Sequence, residues 1–311
     1  MWPIGRQKRP PQANPSKMEG MPVTSRRSFL GQTAAIVSVS QMLLGDPLRK
    51  TNLGVELYTV RNVITKDPKA VLQSIKDMGY TEVEATDYGN FDQIWSAIQE
   101  TQLKPVSIHM NAALLDKDAN EIDSRFSMFK QRGFQYVVYP YVAPEKRGGA
   151  EVYKRLAATL NKAGERAKAQ GLTLCYHNHA FEFEQMGGTS PLQILMTETA
   201  KDHLALEMDI FWVTVAGHDP VDLLRTYAGR VPLLHLKDKA KGIPAQTQYN
   251  EKVPPQTFKE VGNGSIDIPA VLKAANTAGV KQYFVEQDQT PGDPLESLRQ
   301  SYAYLSKQFK S

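Results

Sequence analysis

Between Leu53 and Gln308 the chain alternates between two textures. Short apolar runs are followed by longer stretches in which apolar residues recur every three or four positions. The runs read as strands at residues 53–60, 82–86, 105–110, 136–141, 172–179, 204–210, 231–237 and 283–288. The stretches read as helices from Asp67-Pro68 to Gly79 and over 92–100, 120–132, 149–170, 191–200, 220–227, 268–278 and 294–308. In the first helix Asp67 is placed to cap and Pro68 fits the first turn, where its missing N–H would be unpaired anyway. Val71, Leu72, Ile75 and Met78 share one face, and Gly79 ends the helix. Eight strand–helix units in about 260 residues predict one α/β domain, a closed (β/α)8 barrel. An open doubly wound sheet is the alternative, but it usually has fewer units and a Gly-rich first turn. No GxGxxG or Walker stretch occurs, so nucleotide binding has no support.

Composition changes the picture at one end. The 311 residues carry 37 Lys and Arg against 33 Asp and Glu, a formal charge of +4. Residues 1–50 hold eight of the basic residues and two of the acidic ones, so the remaining 29 and 31 leave the body slightly acidic. Nucleic-acid binding is not expected of such a body. Residues 1–50 are read as a leader and 51–311 as the barrel. In the leader, Ser25-Arg26-Arg27-Ser28-Phe29-Leu30 precedes a modest apolar stretch over 33–44, a pattern similar to a Tat export signal that predicts a periplasmic protein. That stretch is too short and too interrupted for a membrane span, and no cysteine follows it for a lipid anchor. Cys175 is the single cysteine, which excludes a disulfide framework and any Cys-based zinc cluster.

In a (β/α)8 barrel chemistry sits at the C-terminal ends of the strands. Polar residues collect there: Glu56 and Tyr58, Glu84 and Asp87, His109, His177 and His179, Asp209, His235 and Lys237, Glu286 and Asp288. His203 and His218 fall outside the strand ends and read as surface residues. Any one of these has a bland explanation as a hydrogen-bonded core residue or a solvated charge. Together they would be costly to bury unpaired, and a divalent cation removes that cost. Asp209, His235 and Glu286 come from three neighbouring strands and suit Mn, Zn, Co or Fe better than Ca. A fourth ligand is expected from strand five, where His177 is placed for it and Glu182 competes.

These stretches, in order, resemble the xylose isomerase-like TIM-barrel superfamily of sugar phosphate isomerases and epimerases. They are GVELYTVR (54–61), YHNHAFEF (176–183), MDIFW (208–212), HLKD (235–238), GNGSID (262–267) and VEQD (285–288). Relatives in that superfamily include inosose dehydratase, hydroxypyruvate isomerase, D-tagatose 3-epimerase and endonuclease IV. The resemblance spans residues 53–308. It implies a metal held by Asp209, His235, Glu286 and a strand-five acid, and proton transfer at a carbon next to a carbonyl. Epimerases of the family carry Glu on strand five and use two Glu, one on each face of the substrate; this chain has His177 there. That departure resembles inosose dehydratase and related lyases. Trp212 stands where endonuclease IV would carry a further His ligand, which argues against DNA repair.

The roles expected are these. Glu286 is both ligand and candidate base, and His179 is the candidate proton shuttle. Lys237 either neutralises a developing oxyanion or pairs with Asp209 or Asp238. Tyr58, Glu84 and His109 would hydrogen-bond sugar hydroxyls. Trp212 faces the pocket and Phe211 the core. Gly262-Asn263-Gly264 reads as a tight turn, with phosphate binding the alternative. The substrate expected is a non-phosphorylated sugar or keto-sugar, since exported enzymes rarely meet sugar phosphates. Three functions stay open: a metal-dependent isomerase or epimerase, a lyase or dehydratase acting on an oxidised (3-keto) sugar or glycoside, and a non-catalytic carbohydrate-binding barrel.

Overall fold

The computed structural model describes residues 52–246 and 249–309; the leader and its twin arginines lie outside the described residues. Eight strands close a parallel barrel: β1 (Leu53–Glu56), β2 (Glu82–Thr86), β3 (Lys104–His109), β4 (Tyr136–Tyr139), β5 (Thr173–His177), β6 (Ala205–Asp209), β7 (Leu233–Leu236) and β10 (Gln282–Val285). Each pairs with its sequence neighbour, and β10 closes the ring between β7 and β1. The predicted closed barrel is the observed fold. A helix follows each strand, with amphipathic faces turned onto the sheet.

Local signals place the helices. Pro68–Met78 begins on Asp67, whose carboxylate accepts from the Ala70 N–H, and ends at left-handed Gly79. Ile268–Ala278 and Pro294–Gln308 repeat the Asp cap with Pro in the first turn. Two elements were not foreseen. Ile210–Val215 is a short helix that starts directly from β6, with Asp209 accepting from the N–H groups of Phe211 and Trp212. Five of its six residues are buried, so it shows no amphipathic period. The loop after β7 holds a two-stranded antiparallel ribbon, β8 (Asp238–Lys239) with β9 (Phe258–Lys259). Several strands also stop sooner than the apolar runs. The run at 53–60 is strand only to Glu56, whose carboxylate accepts from Tyr58 N and turns the chain into a 3-10 helix.

The barrel lumen is layered. Val106, Val138, Cys175, Ala205, Leu233 and Phe284 form a buried apolar plug separate from the larger core between sheet and helices. Residues two apart on a strand share a face. The positions two beyond Cys175, Ala205, Leu233 and Phe284 are His177, Glu207, His235 and Glu286. The plug therefore directly underlies a layer of ionisable groups. Gly54, two before Glu56, makes the plug possible: a Cβ there would lie 2.4 Å from the Phe284 ring.

Candidate metal centre

A cavity of about 610 Å³ opens at the C-terminal ends of the strands. Its floor carries His109, His177, His179, Glu286 and Asp288, and its walls carry Tyr58, Tyr141, Trp212 and Phe258. The four residues expected as ligands come together: His177, Asp209, His235 and Glu286 each offer an atom within 4.8 Å of the others. All four are buried. Asp209 is held from below by Asn178, whose side-chain oxygen accepts from Asp209 N at 3.1 Å.

Lys237 is buried beside this group. Its Nζ lies 2.8 Å from Asp209 Oδ2, 2.6 Å from Glu286 Oε2 and 2.8 Å from Asp288 Oδ2. The pairing with Asp209 is thus the alternative realised, and Asp238 is not the partner. The ammonium does not line the cavity, so no open cation faces a substrate oxygen from this residue. Burial pulls the Lys237 pKa down, but the three carboxylates raise it well above its ordinary value, so it stays charged. Burial likewise pushes Glu286 up, while Lys237 and a hydrogen bond from His235 Nδ1 at 2.7 Å hold it well below the carboxylate range. Asp209 is raised to about 6, burial outweighing the attraction of Lys237. Burial, with Lys237 second, lowers His179, which stays neutral at pH 7.

The donor set fits a divalent ion. Two imidazoles and two carboxylates are the ligand types that Zn, Mn, Co and Fe take.

Two candidate residues, Glu182 and Glu84, stand outside the ligand quartet and the cavity lining, and Gly262-Asn263-Gly264 is the tight turn expected. Glu182 is not in the ligand group; its carboxylate accepts from the Tyr176 hydroxyl at 2.7 Å and from His179 N at 2.8 Å. It orders the turn that carries His179, and burial pushes its pKa up to about 8. Glu84 does not line the cavity. It lies a layer deeper, with Oε1 2.7 Å from His235 Nε2 and 3.0 Å from His109 Nε2. Gly262-Asn263-Gly264 is a turn closed by an internal anion: Asp238 accepts from Gly262 N and Gly264 N at 3.0 Å and from Ile266 N at 3.1 Å, so its carboxylate stands where a phosphate would. The remaining residues sit as expected. Tyr58, His109 and Trp212 line the cavity, and Phe211 is buried against Phe258. His218 is exposed, and His203 is partly exposed beside Asn161.

Sequence reading missed Glu207, which is fully buried on β6 with Oε2 2.8 Å from His109 Nε2. It belongs to a second close group with His109, His177 and His235. Strand alternation carried the signal, since Glu207 is two before Asp209 and shares its face. It also missed Arg147, which pairs at 2.6 Å with Glu251, a residue of the cavity lining, and packs over the Phe181 ring.

Comparison with known proteins agrees with this geometry. The sequence profile of the family described as "Xylose isomerase-like TIM barrel" matches residues 72–308. An inosose dehydratase of Clostridium botulinum is 25% identical over 266 residues, covering 76% of this chain and 88% of the relative. The chain spans only 55% of the length of the first inosose dehydratases it matches, those of Clostridium perfringens. Among solved structures, a sugar phosphate isomerase/epimerase from Parabacteroides distasonis superposes with a TM-score of 0.69 at 21% identity, covering 83% of this chain and 98% of that one. A structure described as IOLI protein with a binding zinc atom superposes at 0.63 and 16%, covering 84% and 98%. With the family profile matched over most of the chain and the barrel closed as such folds close, this protein belongs to the xylose isomerase-like TIM-barrel family.

Proposed function

We propose that the protein is a divalent-metal-dependent enzyme of sugar chemistry, removing a proton from a carbon next to a carbonyl of a non-phosphorylated sugar or keto-sugar, as isomerases and epimerases do. The observation that carries this reading is the ligand quartet His177, Asp209, His235 and Glu286 on the floor of a sugar-sized cavity. Bound there, a divalent ion supplies Lewis-acid stabilisation of negative charge developing on the sugar oxygens. The chain's own residues supply the rest. Glu286 is ionised at neutral pH and faces the cavity; both of its close contacts, to His235 and Lys237, are made by Oε2, and Oε1 takes part in neither. It is the base. Neutral His179 has a buried Nδ1 without a partner and carries the second proton. His109 and Tyr58 bind hydroxyls, and the Trp212 and Tyr141 rings exclude water.

A second reading is a lyase or dehydratase acting on a keto-sugar or glycoside. It is favoured by His177 standing where a two-carboxylate epimerase would carry its strand-five Glu. The inosose dehydratase relatives point the same way. The aromatic wall of Tyr141, Trp212 and Phe258 offers room for a group beyond one sugar ring. We also propose export through the twin arginines Arg26 and Arg27, which delivers such an enzyme to extracellular sugars.

The test is metal content by mass spectrometry on protein purified without added metal. About one divalent ion per chain is expected, lost in Asp209→Ala, His235→Ala and His177→Ala. Turnover in D2O then separates the readings: deuterium in the recovered sugar marks an isomerase or epimerase, and release of a leaving group marks a lyase. A protein that binds sugar with affinity unchanged by Glu286→Gln and turns nothing over is a binding module.

A further inference from the structure

We infer that the substrate site continues over its rim into a second cavity that takes a neutral sugar ring, so that the molecule bound is a disaccharide or a longer glycoside; this rests on the sugar reading above. A cavity of about 540 Å³ lies beside the first. The same two loops bound both. After β2, Asp87 lines the second cavity and Tyr88 the first. After β3, Ala112 lines the first, Ala113 the second and Asn111 both. Asn111 is exposed, so its side chain stands on the open rim between the two spaces. A ligand seated on the floor of the first cavity reaches the second by crossing that rim beside Tyr88.

The lining of the second cavity selects its occupant. It carries two acids and two bases, and they face one another. Arg125 Nε donates to Asp87 Oδ2 at 3.0 Å, and Lys117 Nζ lies 3.7 Å from Glu121 Oε1. No surplus cation is left among these lining residues, so a phosphate or carboxylate would have no partner of its own. Leu114 and Met128 give the cavity an apolar side, and Ser124 gives it a hydroxyl. Asn111 Oδ1 accepts from Ala113 N at 3.0 Å, which leaves the amide N–H groups to donate. A sugar ring has the same division, with apolar C–H faces and hydroxyls around its edge.

Tyr88 supplies the surface between the two cavities. Among the described residues it is the one large hydrophobic side chain that is exposed, at 45%. Covering such a ring removes apolar area from water, and its negative face attracts the C–H groups of a sugar.

The experiment measures binding to the full chain by calorimetry and by saturation-transfer NMR. The probes are glucose, its disaccharides maltose, cellobiose and trehalose, and phenyl β-glucoside. At least one disaccharide is expected to bind about 10-fold tighter than glucose, with saturation reaching both rings. Tyr88→Ala removes the platform, and Ser124→Trp fills the second cavity. Each should return that disaccharide to the affinity of glucose and leave glucose itself unchanged. Both positions are exposed, and retained glucose binding reports that the variants are folded. Disaccharides no tighter than glucose overturn the inference and leave the proposed function standing. A gain that survives both variants overturns it too, since the second ring then lies elsewhere, as against Tyr141. A gain made by phenyl β-glucoside and by no disaccharide overturns the sugar assignment of the second cavity. If no probe binds, glucose included, the inference and the sugar reading fall together, while metal content still reports on the ligand quartet.

Discussion

Two adjacent layers of one lumen behave oppositely. At the plug, Cys175, Ala205, Leu233 and Phe284 are buried and apolar, and removing them from water stabilises the fold. Two residues further along the same strands, His177, Glu207, His235 and Glu286 are just as buried and ionisable. The backbone geometry is shared; only the side-chain chemistry changes. The lower layer contributes to folding, and the upper costs folding free energy and holds charge where a substrate arrives. A strand pair in this barrel changes purpose over one repeat of its pleat, about 7 Å.

That contrast can be broken from either side. Glu286→Gln keeps the shape of the upper layer but removes the base, and turnover is expected to fall by about 10²- to 10⁴-fold. Steady-state kinetics beside thermal denaturation would show whether activity collapses while the fold persists. Phe284→Ala is the converse change, expected to cost about 3–5 kcal/mol of stability by leaving a cavity in the plug. Urea unfolding measures it, and a cost near zero would mean that the plug is not a support. Gly54→Ala tests the fit of the same ring from the other side. Its Cβ would meet Phe284 at 2.4 Å, and about 1–3 kcal/mol of overpacking strain is expected.

The smallest change concerns the buried acid that orders the His179 turn. Glu182 titrates near 8 when folded, against an ordinary value of 4.5. Between those values the native protein holds a proton that the unfolded chain has released. Stability from this group is full below pH 4.5 and is lost as pH rises toward 8, by at most about 1.4 kcal/mol per pH unit. Glu182→Gln should flatten that slope, read as the difference between the unfolding free energies of variant and wild type at pH 5 and pH 8.

The parts of this architecture governed by neighbours in the chain were legible early. Asp67-Pro68, Asp267 and Asp293 cap helices within three residues, so their elements could be placed closely. Eight alternating units constrain the fold because a parallel strand needs a crossover helix. Depth was not legible. Glu84 and His109 both read as strand-end groups, but Glu84 lies in the middle of β2 and His109 ends β3, so His109 reaches the cavity and Glu84 is spent beneath it on two imidazoles. Partner choice was not legible either: Asp238 and Asp288 are each near Lys237 in the sequence or in the fold, but Asp238 turns to the 262–266 backbone.

By itself the sequence determined the barrel and the types of ligand gathered at the C-terminal side of its strands, because periodicity, caps and residue chemistry are local properties. Only the tertiary structure decided which carboxylate meets which imidazole, that Lys237 lies among three acids, that Glu207 sits under the histidines and that Glu182 serves a turn. Those facts depend on strand stagger and on the inward reach of each side chain. Both emerge only when the sheet closes and residues more than a hundred positions apart come within a hydrogen bond of one another, as His235 and Glu84 do.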